Sequence, residues 1–125
     1  MTENEISYII RGAAIDLHRS LGPGLLESVY EYSLAHDLRE KELFVEQQVA
    51  IPFIYKDVKL ETGYRLDLLV ERKVVIEVKS VEAITPLHEA QLLTYLKLTG
   101  LKLGLLINFN SVLLKDNIIR KVNNL

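Results

Sequence analysis

The sequence predicts a single α/β (α+β) domain with a mixed central sheet that is flanked by helices on both faces. Its 125 residues suffice for one hydrophobic core but not for two. Apolar residues recur at helical spacing up to about residue 41 and give way to β-branched and aromatic segments after it. A later strand, helix and apolar strand in succession indicate a parallel, right-handed crossover. The predicted order is α-α-β-β-β-α-β with a final β element.

Two helices are predicted first. Residues 3–20 form the first, with apolar side chains at three- and four-residue intervals: Ile6, Ile9, Ile10, Ala13, Leu17 and Leu21. The segment 21–24 ends it, because Gly tolerates a positive φ and Pro cannot continue the helix. The second runs from about Leu25 to Lys41, and its predicted buried stripe is Leu26, Val29, Tyr30, Ser33, Leu34 and Leu38.

Three strands follow and predict a meander of antiparallel hairpins. Residues 44–55 are rich in β-branched and aromatic side chains, and Pro52 assigns this strand to an edge or a bulge because it lacks an N–H. After a turn at 56–57, residues 58–70 form the second strand, interrupted near Gly63. Residues 71–73 turn the chain into the third strand, 74–79.

The remaining elements complete the sheet. Thr85 is predicted to cap a helix that begins at Pro86 and closes at Gly100. Residues 103–109 are almost wholly apolar, which is typical of a central strand covered on both faces. For residues 112–122 a hairpin around 115–117 is favoured over a short helix.

Composition excludes several classes of site. Cysteine is absent, so no disulfide, thiolate zinc site or cysteine nucleophile is expected. No apolar run approaches the ~20 residues of a membrane span, and the N-terminus lacks the basic start and cleavage site of a signal peptide. We expect a cytoplasmic protein with no membrane partner. The net charge of −2 argues mildly against a nucleic-acid partner.

Charged residues interrupt two apolar strands. Asp67 lies within one, while Glu77 and Lys79 share a face of the next. Burying such charges costs several kcal/mol each unless they are compensated. An internal ion pair, Glu77 with Lys79 or Asp67 with Lys79, is one explanation. The other is a site where Asp67 and Glu77 hold Mg²⁺ or Mn²⁺ and Lys79 faces a phosphate, an arrangement suited to phosphodiester hydrolysis.

Two helices offer further candidates. Gln91 and Tyr95 share a face of the third helix; they either pack there or line the same cleft, with Gln91 orienting water or a phosphate. Glu27 lies in the first turn of the second helix, beside Tyr30 and Glu31. It is explained either by the helix dipole or as a third carboxylate that reaches the metal.

These residues carry a family resemblance over nearly the whole chain. Residues 24–30 (GLLESVY) resemble the signature of the GxxExxY protein family, which belongs to the PD-(D/E)XK nuclease superfamily. Asp67 with residues 77–79 (EVK) matches the D…ExK core of that superfamily. Residues 91–95 (QLLTY) resemble the QxxxY motif of RecB-type exonucleases. The order of elements fits the restriction-endonuclease-like αβββαβ core.

The resemblance implies a role for each matching residue. Asp67 and Glu77 are metal ligands together with the main-chain carbonyl of Val78, and Lys79 activates water or stabilises the developing charge. Glu27 supplies an acid from the N-terminal helices, and Gln91 and Tyr95 complete the site. RecB-type enzymes often add a metal-binding histidine from an upstream helix, for which His18 is the candidate; His36 and His88 are expected at the surface.

The leading hypothesis is therefore a Mg²⁺-dependent deoxyribonuclease acting in DNA processing or repair, with Mn²⁺ as a substitute. The alternatives are a non-catalytic nucleic-acid-binding or assembly module with this fold, and a structural subunit that self-associates. Basic residues lining one cleft (Arg65, Lys79, Lys97 and Lys102) would bind phosphates despite the negative net charge. We expect weak, salt-sensitive affinity for DNA alone, with a homodimer or another protein partner supplying tighter binding.

Overall fold

The central sheet has five strands, and helices cover both of its faces. The computed structural model describes residues 1–61 and 63–125. The helices of this part are α1 (Glu3–Leu21), α2 (Glu27–Glu40) and α3 (Pro86–Thr99), with a 3₁₀ turn at Leu114–Asn117. The strands are β1 (Val45–Ala50), β2 (Phe53–Tyr55), β3 (Val58–Leu60), β4 (Arg65–Val70), β5 (Val74–Lys79), β6 (Leu103–Asn108) and β7 (Ile118–Val122).

The strand order of the main sheet is β1-β4-β5-β6-β7. Only the β5–β6 pair is parallel, and the other three pairs are antiparallel. This mainly antiparallel mixed sheet confirms the predicted fold class and is consistent with a restriction-endonuclease-like fold. No helix within the described ranges is long and apolar enough to cross a bilayer.

Both N-terminal helices form as predicted, except that the second begins later than expected. A reciprocal pair of hydrogen bonds between Thr2 and Glu5 caps α1. Helix α2 begins at Glu27, two residues later than expected. Leu26 is therefore the N-cap residue and is 74% exposed, and Val29 is also exposed. The predicted buried stripe is thus wrong at Leu26 and Val29, whereas Tyr30, Leu34 and Leu38 are fully buried.

The predicted three-stranded meander is wrong at its first strand. Residues 44–55 divide at Pro52, which has no N–H to donate to a ladder. β1 then forms one edge of the main sheet, while β2 and β3 form a separate two-stranded hairpin. The predicted second strand, 58–70, is interrupted near Gly63 as expected; residue 62 lies outside the described residues.

The C-terminal half follows the prediction as far as β6. Thr85 caps α3, Pro86 begins it, and Gly100 ends it with a φ of 76°. The six residues of β6 are all buried. The hairpin predicted around residues 115–117 is wrong, because these residues form the 3₁₀ turn and lead into β7, which pairs with β6. Leu114 of that turn is buried, and its side chain holds the turn against the core.

The two faces of the sheet carry separate hydrophobic clusters, and this division determines where the polar residues of β5 point. Val74, Ile76 and Val78 pack in the cluster with α1 and α2. Val75 packs in the cluster on the opposite face, with Leu92, Tyr95 and Leu96 of α3. Strand alternation therefore places Glu77 and Lys79 on the α3 face.

Candidate metal centre

The regular ladder between β4 and β5 stops at Asp67 and Glu77. Paired positions run from Val70–Val74 to Leu68–Ile76, one step short of these two acids. Beyond this point, main-chain N–H groups of the two strands donate to side-chain carboxyl oxygens instead of main-chain carbonyls. The Asp67 N–H donates to Oε2 of Glu77 at 3.1 Å, and the Val78 N–H donates to Oδ2 of Asp67 at 2.8 Å. The two carboxyl groups are thus fixed side by side where the strands separate.

Glu77 is nearly buried, with 6% of its surface exposed. Burial raises its pKa to about 9, with further increases from the charge of Asp67 and from a hydrogen bond between the two carboxyl groups; the Asp67 N–H and Lys79 act in the opposite direction. At neutral pH and without metal, Glu77 therefore keeps its proton.

The predicted ion-pair explanation does not apply to this site. Within residues 1–61 and 63–125, the salt bridges all lie elsewhere, and none involves Asp67, Glu77 or Lys79. Lys79 is half-buried and lies close enough to oppose the rise in the pKa of Glu77. Its ammonium group is therefore available to a further anion beside the two acids.

The donor set fits a small divalent cation. No group of three or more His, Asp or Glu side chains in the described part of the chain converges closely enough to hold a metal alone. Mg²⁺ characteristically takes one or two carboxylates and completes its octahedron with water and phosphate oxygens. Two adjacent carboxyl groups with a displaceable proton match that requirement. A further ligand from the Val78 carbonyl remains a prediction.

Glu31 is a buried acid that sequence reasoning did not select. It lies on α2, is 7% exposed, and accepts hydrogen bonds from Nε2 of Gln47 at 3.1 Å and of Gln48 at 2.7 Å. Burial is the main cause that raises its pKa, and the charge of Asp67 adds to it. Glu31 interrupts the buried stripe of α2 as Glu77 interrupts β5, so the same criterion applied to this helix would have found it.

Gln48 connects Glu31 to the carboxylate pair. Its Nε2 lies 3.4 Å from Oδ1 of Asp67 as well as 2.7 Å from Oε1 of Glu31. On β1 it occupies the position opposite Asp67, between the paired residues Gln47 and Val49. Its φ is 53°, a left-handed conformation that is unfavourable for Gln. Strain of this kind persists where the surroundings enforce it, often at functional sites.

Replacing Gln48 by Gly should separate its two roles. Gly adopts the left-handed conformation without strain, which offsets the hydrogen bonds that the amide loses to Glu31 and Asp67, so we expect Gln48→Gly to change the free energy of unfolding by no more than about 1 kcal/mol. Loss of the bridging amide should weaken Mn²⁺ binding roughly 10- to 100-fold, as measured by calorimetry. Arg72→Gly is the matched control, since exposed Arg72 also has a left-handed φ, of 54°, away from the site. Equal Mn²⁺ affinity in both variants would contradict this role.

Tyr95 is buried within range of the charges of the two acids, whereas Gln91 and Glu27 lie at the surface. Tyr95 is 7% exposed, and burial together with the charges of Glu77 and Asp67 raises the pKa of its phenol. Gln91, one turn earlier on α3, is exposed. Glu27, the first residue of α2, is also exposed. Its charge adds to the rise in the pKa of Glu31. Roles for Gln91 and Glu27 remain predictions.

His18 has a structural partner. Its Nε2 lies 2.8 Å from the carbonyl oxygen of Ser111, and its ring centroid is 6.4 Å from that of Phe109. Among the described contacts, no hydrogen bond or ion pair joins His18 to the carboxylates, so its role as a ligand also remains a prediction. His36 is exposed as expected. His88 is half-buried and caps α3 by accepting the Thr85 N–H at 3.0 Å.

Tyr30, the last residue of the GLLESVY segment, holds the loop before α2 in place. Its hydroxyl donates to the Gly22 carbonyl at 2.5 Å and accepts the Leu25 N–H at 3.2 Å. Its ring stacks on Phe109 with a centroid distance of 4.5 Å. The Ser80 hydroxyl, just after β5, donates to the Leu25 carbonyl at 2.7 Å. The motif therefore fixes the start of α2 against the end of β5.

The four predicted phosphate-binding cations do not share one cleft. Arg65 lies on β4, two residues before Asp67, and Lys79 lies beside Glu77. Lys102 directly precedes Leu103, which pairs with Val74 at the opposite end of β5 from Lys79. Five residues of strand separate these ends by roughly 16 Å. The prediction that Lys102 lines the cleft with Lys79 is therefore wrong.

Comparison with known protein families agrees with this geometry. Residues 4–121 match the PD-(D/E)XK nuclease superfamily, so the match extends from α1 into β7. No curated protein and no solved structure matches the chain significantly. The matched range includes Asp67, Glu77 and Lys79, at the positions where β4 and β5 separate. The chain therefore belongs to the PD-(D/E)XK nuclease superfamily.

Proposed function

We propose that this protein hydrolyses phosphodiester bonds in DNA with the help of Mg²⁺, in DNA processing or repair. The observation that carries the proposal is the pair Asp67 and Glu77, held side by side with a pKa of about 9 for Glu77 and with Lys79 on the same face. Such a pair is costly without a compensating charge. Within the superfamily, Gly24, Glu27 and Tyr30 favour the GxxExxY proteins, and Gln91 with Tyr95 favours a RecB-type site.

Each residue near the pair has a role in this proposal. Asp67 and Glu77, with the Val78 carbonyl, would hold the cation, which when bound polarises the phosphodiester and lowers the pKa of attacking water. Lys79 stabilises negative charge that develops on the phosphoryl oxygens. Gln48 orients Asp67 and Glu31 through its amide. Tyr95 lines the site from the α3 side.

Lys79→Ala tests the chemistry without altering the ligands. We expect cleavage of single- and double-stranded DNA with Mg²⁺ or Mn²⁺ to slow by roughly 10²- to 10³-fold, because one stabilising charge is lost. Affinity for Mn²⁺ should not fall, since the carboxylates remain. Lys41→Ala is the matched control, because Lys41 is exposed at the end of α2. Cleavage at the wild-type rate in Lys79→Ala would remove Lys79 from the mechanism.

A non-catalytic nucleic-acid-binding or assembly module is the second candidate. It is favoured by the small number of acids at the site. Among the described residues, no third acid lies close enough to Asp67 and Glu77 to form a group of three metal ligands. Calorimetric titration with Mn²⁺ distinguishes the two functions. The nuclease should bind Mn²⁺ with a dissociation constant below the millimolar range. The module need not bind Mn²⁺ and should bind DNA without metal-dependent cleavage.

A second copy of the chain would supply the affinity for DNA that one copy lacks. The net charge of −2 predicts weak, salt-sensitive binding by a monomer. Paired sites would suit a nuclease that cuts both strands. Light scattering after size-exclusion chromatography should detect the dimer at micromolar concentration. If the protein is a monomer under those conditions, another protein must supply the additional affinity for DNA.

A further inference from the structure

A cavity of about 600 Å³ lies between the β2–β3 hairpin and the start of β4. Its volume falls within the range of roughly 300–1,000 Å³ that is usual for small-molecule sites. One part of the lining is apolar or aromatic and comprises Ile51, Pro52, Leu60 and Tyr64. The charged part comprises Lys59 and Arg65, opposed by Glu61. The cavity thus combines apolar walls with a local excess of positive charge, in a protein whose net charge is negative.

Tyr64 gives this cavity an aromatic wall. It is 50% exposed, and its ring centroid lies 6.0 Å from that of Tyr95 on α3. A planar, apolar ligand can therefore stack on the exposed part of the Tyr64 ring. Arg65 is held at the rim by a hydrogen bond of 3.1 Å from its Nη1 to the Gln48 carbonyl. A flat aromatic group carrying a phosphate matches both features, which is the chemistry of a nucleotide.

The cavity adjoins the candidate metal centre. Arg65 lies two residues before Asp67 on β4, which corresponds to roughly 7 Å along the strand. Tyr95 contacts Tyr64 on one side, and its pKa is raised by burial first and then by the charges of Glu77 and Asp67. A nucleotide in the cavity would therefore neighbour a phosphodiester positioned at Asp67 and Glu77.

We infer that the cavity receives an unpaired base next to the bond that is cut, so that single-stranded DNA is the preferred substrate. This inference rests on the proposed nuclease function. A base in a duplex is stacked and paired, so it could enter the cavity only after being extruded, whereas a base in a single strand is free to stack on Tyr64. Attraction to phosphate alone would favour the opposite order, because a duplex has the higher charge density.

Metal-free binding measurements test the preference. Fluorescence anisotropy should show that the intact protein binds a labelled single-stranded oligonucleotide more tightly than a duplex of the same length. Tyr64→Leu should weaken single-strand binding about 5- to 100-fold, the effect of losing one base–aromatic stack. Lys59→Glu should weaken it as well. Tyr8→Leu and Lys41→Glu are the matched controls, since Tyr8 and Lys41 are exposed outside the cavity lining; both should bind like the wild type.

The outcomes separate this inference from the function on which it rests. Equal or tighter binding of the duplex, or a Tyr64→Leu variant that binds single strands as the Tyr8→Leu control does, would overturn the cavity's role. Metal-dependent cleavage that is equally fast on single and double strands would also overturn it, while leaving the nuclease function intact. Single-strand preference that depends on Tyr64, without cleavage under any metal, would support the cavity and reject the nuclease.

Discussion

Glu77→Gln should abolish metal-dependent DNA cleavage, with a loss on the order of 10³-fold or more in rate. The amide cannot supply the negative charge that a divalent cation requires, although it keeps the shape of the side chain and an oxygen that accepts the Asp67 N–H. Glu40→Gln, an exposed change at the end of α2, is the control and should cleave like the wild type. Activity retained in Glu77→Gln would exclude Glu77 from the site.

The same variant should change the pH dependence of stability in the metal-free protein. Burial and Asp67 raise the pKa of Glu77 from 4.5 in the unfolded chain to about 9 in the fold. Between these two values the unfolded chain releases the proton while the folded chain keeps it. The contribution to the free energy of unfolding is therefore complete below about pH 4.5 and is lost as the pH rises towards 9.

Urea unfolding at about pH 5 and about pH 8 measures this effect. We expect the wild type to lose stability between the two conditions, and Glu77→Gln to lose less. At the higher pH the variant should be more stable than the wild type by roughly 1–3 kcal/mol, because no buried carboxyl must retain a proton. The Glu40→Gln control should follow the wild type. An identical pH dependence in Glu77→Gln and the wild type would show that Glu77 titrates normally.

Tyr30→Ala should destabilise the fold by roughly 3–5 kcal/mol, the usual cost of deleting a buried aromatic ring. Tyr30 is fully buried and stacks on Phe109. Tyr30→Phe keeps the ring but leaves the Gly22 carbonyl and the Leu25 N–H without their partner. We therefore expect about 1–3 kcal/mol for that change. Urea unfolding of both variants checks these values.

The exposed residue Tyr32 provides the control for Tyr30. It is 62% exposed on the same helix, so Tyr32→Ala should change the free energy of unfolding by no more than ~0.5 kcal/mol. If Tyr30→Phe were as stable as the wild type but inactive in cleavage, the Tyr30 hydroxyl would act in the site and not in the loop before α2.

Local chemistry explains which elements could be predicted from the sequence. The bounds of α3 follow from Thr85, Pro86 and Gly100, whose effects act within a turn of the chain. The apolar residues of 74–79 predict the strand β5, and Glu77 and Lys79 stand out because they interrupt that apolar run. The division at Pro52 into two sheets depends on which strands pair over long distances. Neither propensity nor alternation specifies that choice.

The acidic residues show the same distinction at the candidate site. The sequence predicts Asp67 and Glu77 as site residues because each is a charged residue within an apolar strand. Glu27 is predicted from its place in the first turn of α2 and from the motif. The buried acid that shares the Gln48 amide with Asp67 is instead Glu31, one turn further along α2. Gln48 could not be identified from the sequence, because its role comes from a left-handed conformation opposite Asp67. Such a conformation leaves no sequence signal when the residue is not Gly or Asn.

A crystal soaked in Mn²⁺ and measured for anomalous scattering tests the site most directly. We expect a peak between the carboxylates of Asp67 and Glu77, with ligand oxygens at about 2.0–2.2 Å, and no such peak in Glu77→Gln crystals. The side-chain bonds from the Asp67 and Val78 N–H groups should weaken as the carboxylates turn to the metal. Saturating Mn²⁺ that leaves both bonds in place, with no anomalous density between the two acids, would contradict a metal centre at this position.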